Sequence, residues 1–70
     1  MSIDRKPTNR VRELREARGW SQHDLAMRAG MTAKTIHNVE RGRGPSLDTA
    51  MAIAAVLGQP VEEIFPVIPA

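Results

Sequence analysis

The sequence contains no cysteine and no tyrosine, one tryptophan (Trp20) and one phenylalanine (Phe65). Without cysteine there is no disulfide framework, no thiolate metal site and no redox motif, which fits a reducing cytoplasm as the expected location. Histidine is scarce as well. His23 and His37 stand fourteen positions apart, and a zinc site would need two further donors. The neighbouring acids have other expected roles, Asp24 as a helix cap and Glu40 in an ion pair. With no glycine-rich phosphate loop either, the expectation is a protein that is not an enzyme and holds no metal or cofactor. Long apolar runs are also missing. The longest, residues 50–57, falls short of the roughly 20 residues that cross a bilayer, and residues 1–10 are polar and charged rather than signal-like. Seventy residues leave room for one small domain, which buries only about 60% of the surface exposed in the unfolded chain. Its core has to come from the 41% of residues that are apolar.

The net charge of +2 hides an asymmetry. Residues 1–45 carry all ten Lys and Arg against five acids (Asp4, Glu13, Glu16, Asp24, Glu40), a balance of +5, whereas residues 46–70 carry only Asp48, Glu62 and Glu63, a balance of −3. A basic portion in so short a chain points to an anionic partner, nucleic acid first, although a solvated charged face gives the same count.

Turn residues divide the chain into segments with helical rather than alternating periodicity, so the expected class is all-α with five helices. Residues 1–8, with Pro7, read as a flexible arm. The first helix is predicted over residues 9–18, with Val11, Leu14 and Ala17 on one side and Gly19 ending it. Ser21 then reads as an N-cap, with Asp24 placed for a capping box and Trp20 placed to staple onto Leu25. This second helix runs to Ala29. Gly30 reverses the chain and Thr32 caps a third helix lasting to Arg41, where Gly42 stops it. Ser46 caps a fourth helix over residues 47–57, whose Leu47, Ala50, Met51, Ile53, Ala54 and Leu57 lie nearly all round it and predict a central position. Gly58 ends that helix, and Pro60 starts a short last one through Glu62, Glu63, Ile64 and Phe65 before Pro66. Residues 9–65 are the expected domain and residues 66–70 an apolar tail, either a dimer contact or a disordered end.

Two short helices joined by a tight glycine-containing turn match the helix-turn-helix arrangement. Ala26, four residues before Gly30, is small enough for close helix approach, and Ile36 and Val39 share the core-facing side of the third helix. The opposite arc holds Ala33, Lys34, His37, Asn38 and Arg41, a set suited to base edges and phosphates, though any amphipathic helix has a polar side. Glu40 falls on the inward side, where an unpaired carboxylate is costly. Arg15, flanking the Val11 and Leu14 stripe, is the expected bidentate partner in a structural ion pair, with Arg18 as the competitor.

The ordered stretches Val11-Arg12-Glu13-Leu14-Arg15-Glu16-Ala17-Arg18-Gly19-Trp20-Ser21-Gln22, Leu25-Ala26, Ala29-Gly30, Thr35-Ile36, Val39-Glu40-Arg41-Gly42, Pro45-Ser46-Leu47 and Val61-Glu62-Glu63-Ile64-Phe65 closely resemble the Cro/C1-type (XRE) helix-turn-helix regulators over residues 11–65. The resemblance implies a compact five-helix, lambda-repressor-like DNA-binding domain with residues 32–41 as recognition helix. It implies base reading by Ala33, Lys34 and Asn38, and backbone contact by Gln22, Thr32, Thr35, His37, Arg41 and Arg43. It implies sequence-specific binding of double-stranded DNA as a transcriptional regulator, a repressor, on a palindromic operator. A homodimer is expected, anchored by Ile64, Phe65, Val67 and Ile68, with core burial of Ile64 and Phe65 as the competing role. The alternative is an antitoxin or adaptor that uses the same scaffold to hold a protein partner. The third helix departs from the pattern in having only Asn38 for a planar bidentate contact with adenine, which implies modest specificity.

Overall fold

The computed structural model describes residues 9–65, which form α1 (Val11–Ala17), α2 (Gln22–Ala29), α3 (Ala33–Glu40), α4 (Leu47–Leu57) and α5 (Val61–Ile64). The fold is all-α, with no strand among the described residues, and no helix among them is long and apolar enough to cross a membrane. The arm at 1–8 and the tail at 66–70, with Val67 and Ile68, lie outside the described residues.

Local chemistry sets most boundaries. Ser21 accepts from the Asp24 backbone N–H while the Asp24 carboxylate accepts from the Ser21 N–H, so two of the unsatisfied donors at the start of α2 are paired reciprocally. The Ser21 backbone N–H, then the Ser21 side chain, hold the Asp24 carboxyl below the usual carboxylate range. Thr32 and Ser46 accept from the backbone N–H of Thr35 and Thr49 to start α3 and α4. Gly30 ends α2 at φ +73°, a left-handed conformation that costs an L side chain roughly 1–2 kcal/mol. The Gly30 N–H donates to the Met27 carbonyl and the Met31 N–H to that of Ala26, which closes the turn.

The first helix starts later than its sequence suggests. Asn9 stands outside it: its side-chain carbonyl accepts from the Val11 N–H at 3.0 Å while its amide donates to the Val39 carbonyl at 2.8 Å. The Arg10 N–H donates to the Ile64 carbonyl at 2.9 Å. Residue 9 therefore serves as a bracket between the start of α1 and the end of α3 rather than as a helical residue.

The core is continuous, built from Val11, Leu14, Leu25, Ala26, Ile36, Val39, Ala50, Ile53, Ala54, Leu57, Ile64 and Phe65. Four of these come from α4, which packs against α1, α2 and α5. That helix is nevertheless not covered all round. Leu47 is 60% and Met51 54% exposed, because these residues, one turn apart, form a stripe displaced from the Ile53 and Leu57 side where neighbours pack. Ile64 and Phe65 are buried in the domain core, so they are not available as dimer anchors; with the half-buried Val61 and the Arg10 bond to the Ile64 carbonyl, they hold the short α5 in place. Trp20 packs partly buried against the same core. The Arg28 guanidinium lies 4.4 Å and that of Arg18 5.7 Å from its ring centroid, so its exposed face meets cations.

One polar contact ties distant helices together. Arg15 donates from Nε to Glu40 Oε2 at 2.7 Å and from Nη2 to Glu40 Oε1 at 3.1 Å, while its Nη1 reaches the Trp20 carbonyl at 2.7 Å. Both side chains are almost out of solvent, at 10% and 5% exposure. The hydrogen bond to Glu40 raises the Arg15 guanidinium above its ordinary value, so it stays charged despite burial. Arg18 takes a different position, donating to the backbone carbonyls of Leu14 and Leu57. It is a helix-end donor rather than a competitor for Glu40.

Arg15→Met strands a buried carboxylate and is expected to cost about 3–5 kcal/mol of stability in urea titration, whereas adding Glu40→Leu restores most of that loss. A single-variant loss under about 1 kcal/mol would contradict a buried pair. Leu57→Ala is expected to cost about 2–5 kcal/mol, against no more than about 0.5 kcal/mol for Met51→Ala at an exposed site. Equal losses would show that α4 buries both sides.

Candidate nucleic-acid interface

The segment from Gln22 to Glu40 contains two eight-residue helices separated by Gly30, Met31 and Thr32. Fully buried Leu25, Ala26 and Ile36, with Val39 nearly so, fix both helices against the core. With α3 held on that side, at about 100° per residue its Lys34, His37, Asn38 and Arg41 fall within an arc of roughly 100° on the other. Lys34, His37 and Arg41 are exposed and Asn38 is half-buried. The arc therefore presents an ammonium, an imidazole, a carboxamide and a guanidinium side by side.

Ala33 and Thr35 sit at its two margins, half-buried. Ala33, expected on the polar arc, lies at its edge. Its helical position borders Ile36 and Glu40, and its methyl packs partly against the core. Thr35 Oγ1 lies 3.0 Å from Thr32 Oγ1, so both hydroxyls are engaged at the helix start. Arg43 is exposed in the loop beyond α3, where its backbone N–H donates to the Asn38 carbonyl.

Helix starts add donors. In α2 the first helical bond runs from the Leu25 N–H to the Ser21 carbonyl, and Ser21 takes the Asp24 N–H. The Gln22 and His23 N–H groups therefore remain directed out of the helix end. The same accounting in α3 leaves the N–H groups of Ala33 and Lys34, since Thr35 donates to the Thr32 side chain and Ile36 to its carbonyl. Both ends carry the positive pole of a helix dipole, a setting that favours anions.

Gln22 has a role that periodicity does not reveal. It is half-buried, and its Nε2 donates to Glu40 Oε1 at 3.2 Å. One of its two amide hydrogens is thus committed to the Arg15–Glu40 pair, and the other is free for an anion. Above that pair lies a cleft of about 250 Å³ lined by Arg12, Arg15, Gln22, His37, Glu40 and Arg41. The structure thus gathers Gln22, His37 and Arg41 around the ion pair, while Lys34, Asn38, Thr32, Thr35 and Arg43 line no part of it. Arg12 was not singled out from the sequence. The available signal was its spacing, three residues before Arg15 and hence on a shared side of α1.

Residues 11–64 match the family model described as helix-turn-helix. The chain is 46% identical over 57 residues to a protein of Methanothermobacter thermautotrophicus named an uncharacterized HTH-type transcriptional regulator, covering 79% of this chain and 83% of that one. It is 36% identical over 58 residues to the Bacillus subtilis protein YgzD, of the same description, covering 81% and 88%. It is 37% identical over 61 residues to the HTH-type transcriptional regulator DdrOP3 of Deinococcus deserti, covering 86% of this chain and 47% of the relative. With that family model spanning nearly the whole described domain and relatives named HTH-type transcriptional regulators covering most of this chain, the chain belongs to the Cro/C1-type helix-turn-helix family.

Proposed function

We propose that this protein binds double-stranded DNA sequence-specifically as a transcriptional regulator, with α3 in the major groove. The observation that carries the reading is the polar arc of Lys34, His37, Asn38 and Arg41, held outward by buried Ile36 and Val39. Relatives named transcriptional regulators support it. Lys34 suits the O6 and N7 acceptors of guanine, Asn38 pairs with adenine, and the exposed part of the Ala33 methyl meets a thymine methyl. Gln22 and the start of α2 on one side, with Thr32, Thr35 and the start of α3, hold phosphates and set register. His37, Arg41 and Arg43 approach the backbone beside them.

A single helix touches few base pairs, so the reading includes a homodimer on a palindromic operator with half-sites roughly 34 Å apart. Repression follows where the operator overlaps a promoter. Residues 9–65 are the binding domain in this reading, and residues 1–8 and 66–70 flank it as arm and tail.

Selection of bound duplexes from a random pool is expected to return a two-fold symmetric site. Lys34→Ala or Asn38→Ala is expected to weaken binding to that site by about 1–3 kcal/mol while leaving unrelated duplexes nearly unaffected. Enrichment of no sequence, or equal loss on all sequences, would refute base reading by α3. Light scattering on the free and bound protein checks the dimer, and a single half-site bound by one copy would remove it.

A further inference from the structure

We infer that the outer face of α4 is the surface on which two copies of this chain meet, their α4 helices crossing antiparallel about a two-fold axis near Met51 and Ala52. This rests on the homodimer of the proposed function and gives it a surface, since Ile64 and Phe65 are occupied in the core of each domain.

The two sides of α4 differ in what covers them. Ala50, Ile53, Ala54 and Leu57 are buried. At about 100° per residue, Leu47, Met51, Ala55, Asp48 and Ala52 fall in that order across an arc of roughly 140° on the outer side. All are exposed except Ala52, which is half-buried. Leu47 and Met51 are two of the three large apolar side chains exposed among the described residues. One apolar residue on a surface is ordinary, but here four of the five residues on one helix face are apolar and Asp48 is their only charge.

The face complements itself in one orientation. Its bulk lies in the first half, at Leu47 and Met51, and its small side chains in the second, at Ala52 and Ala55. A parallel partner sets bulk against bulk. An antiparallel one lays Met51 of each copy against Ala52 and Ala55 of the other, and alanines at the crossing let the helix axes approach to about 8 Å. A two-fold axis makes each such contact twice. Charge follows the same direction. Neither Asp48 nor Arg18 has an ion-pair partner among the described residues. Arg18 sits at the far end of α4, its Nη2 donating to the Leu57 carbonyl at 2.6 Å. The antiparallel crossing brings Asp48 of each copy to that end of the other copy's α4, and it holds the two Asp48 carboxylates apart at opposite ends of the interface.

This face is distinct from the polar arc of α3, since α4 packs chiefly on α1, α2 and α5. A helix of 11 residues is about 16 Å long and about 10 Å wide, so one face falls short of the roughly 800 Å² per partner of a standard interface. The dimer is therefore weak in free solution and is completed on DNA, where adjacent half-sites hold two copies together.

Because the chain has no cysteine, one introduced thiol reports one contact. Ala52→Cys, beside the two-fold axis, is expected to oxidise to a disulfide-linked dimer, which needs Cα atoms within about 7 Å, whereas Met27→Cys on the exposed side of α2 stays monomeric. In sedimentation equilibrium over a concentration series, Met51→Lys is expected to dimerise about tenfold or more less tightly than the native protein, with its melting temperature unchanged. Removal of residues 66–70 is expected to leave the dimer in place. On DNA, Met51→Lys keeps the native affinity for a single half-site and loses the gain from a palindrome. A dimer indifferent to Met51→Lys, or one lost with residues 66–70, would overturn this surface while leaving the homodimer. Faster cross-linking through Met27→Cys than through Ala52→Cys would do the same. A native protein that stays monomeric both free and on a palindromic duplex would remove the homodimer as well. Absence of any duplex binding would sink the DNA reading alone, because the thiol and sedimentation results stand without DNA.

Discussion

A single ion pair joins four parts of this chain. From α1, Arg15 reaches the Glu40 carboxylate at the end of α3 with two hydrogen bonds and the Trp20 carbonyl in the connection to α2 with a third, and Gln22 at the start of α2 closes on the same carboxylate. Removing two charges from water costs several kcal/mol per ion, so the net stabilisation of such a pair is small while the loss on breaking it is large. Its structural consequence is angular. A planar fork that meets both oxygens of one carboxylate admits a narrow range of rotations of α3 about its axis. That rotation determines which α3 residues face outward.

The same knot shapes the surface above it. By absorbing the one negative charge among the lining residues, Arg15 turns what would be a mixed site into a cationic one bordered by Arg12, His37 and Arg41. The structural ion pair and the anion-favouring cleft are therefore two aspects of one arrangement. The asymmetry of charge along the sequence acquires a spatial meaning here, because α1 and α3 both lie in its basic portion, whereas Asp48, Glu62 and Glu63 lie in α4 and α5.

Stability in so small a domain depends on tying short helices by their ends as well as by their sides. Asn9 bridges the start of α1 to the Val39 carbonyl, Arg10 donates to the Ile64 carbonyl, and Arg18 reaches the Leu57 carbonyl. Each reaches a backbone carbonyl where a helix stops, and that of Val39 accepts from the Gly42 N–H as well. None of the buried side-chain nitrogens or oxygens among the described residues lacks a partner.

Five helices, their order and most of their ends were readable in the sequence, because the causes act within a few residues. Ser21 with Asp24, Thr32 and Ser46 cap their own helices, Gly30 and Gly58 supply left-handed ends, and Ile36 and Val39 declare one side of α3. The tertiary structure alone decided what depends on distant partners. It settled the expected Arg15, over its competitor Arg18, as the partner of Glu40 across 25 positions, and sent Arg18 to Leu57 across 39. It set Asn9 as a bracket, joined Gln22 to Glu40, brought Arg12 over the cleft, uncovered Leu47 and Met51, and buried Ile64 and Phe65. Helical periodicity states that a residue is apolar and on which side it lies. Whether another helix covers that side, and which of several nearby cations a carboxylate meets, is fixed only when the helices pack.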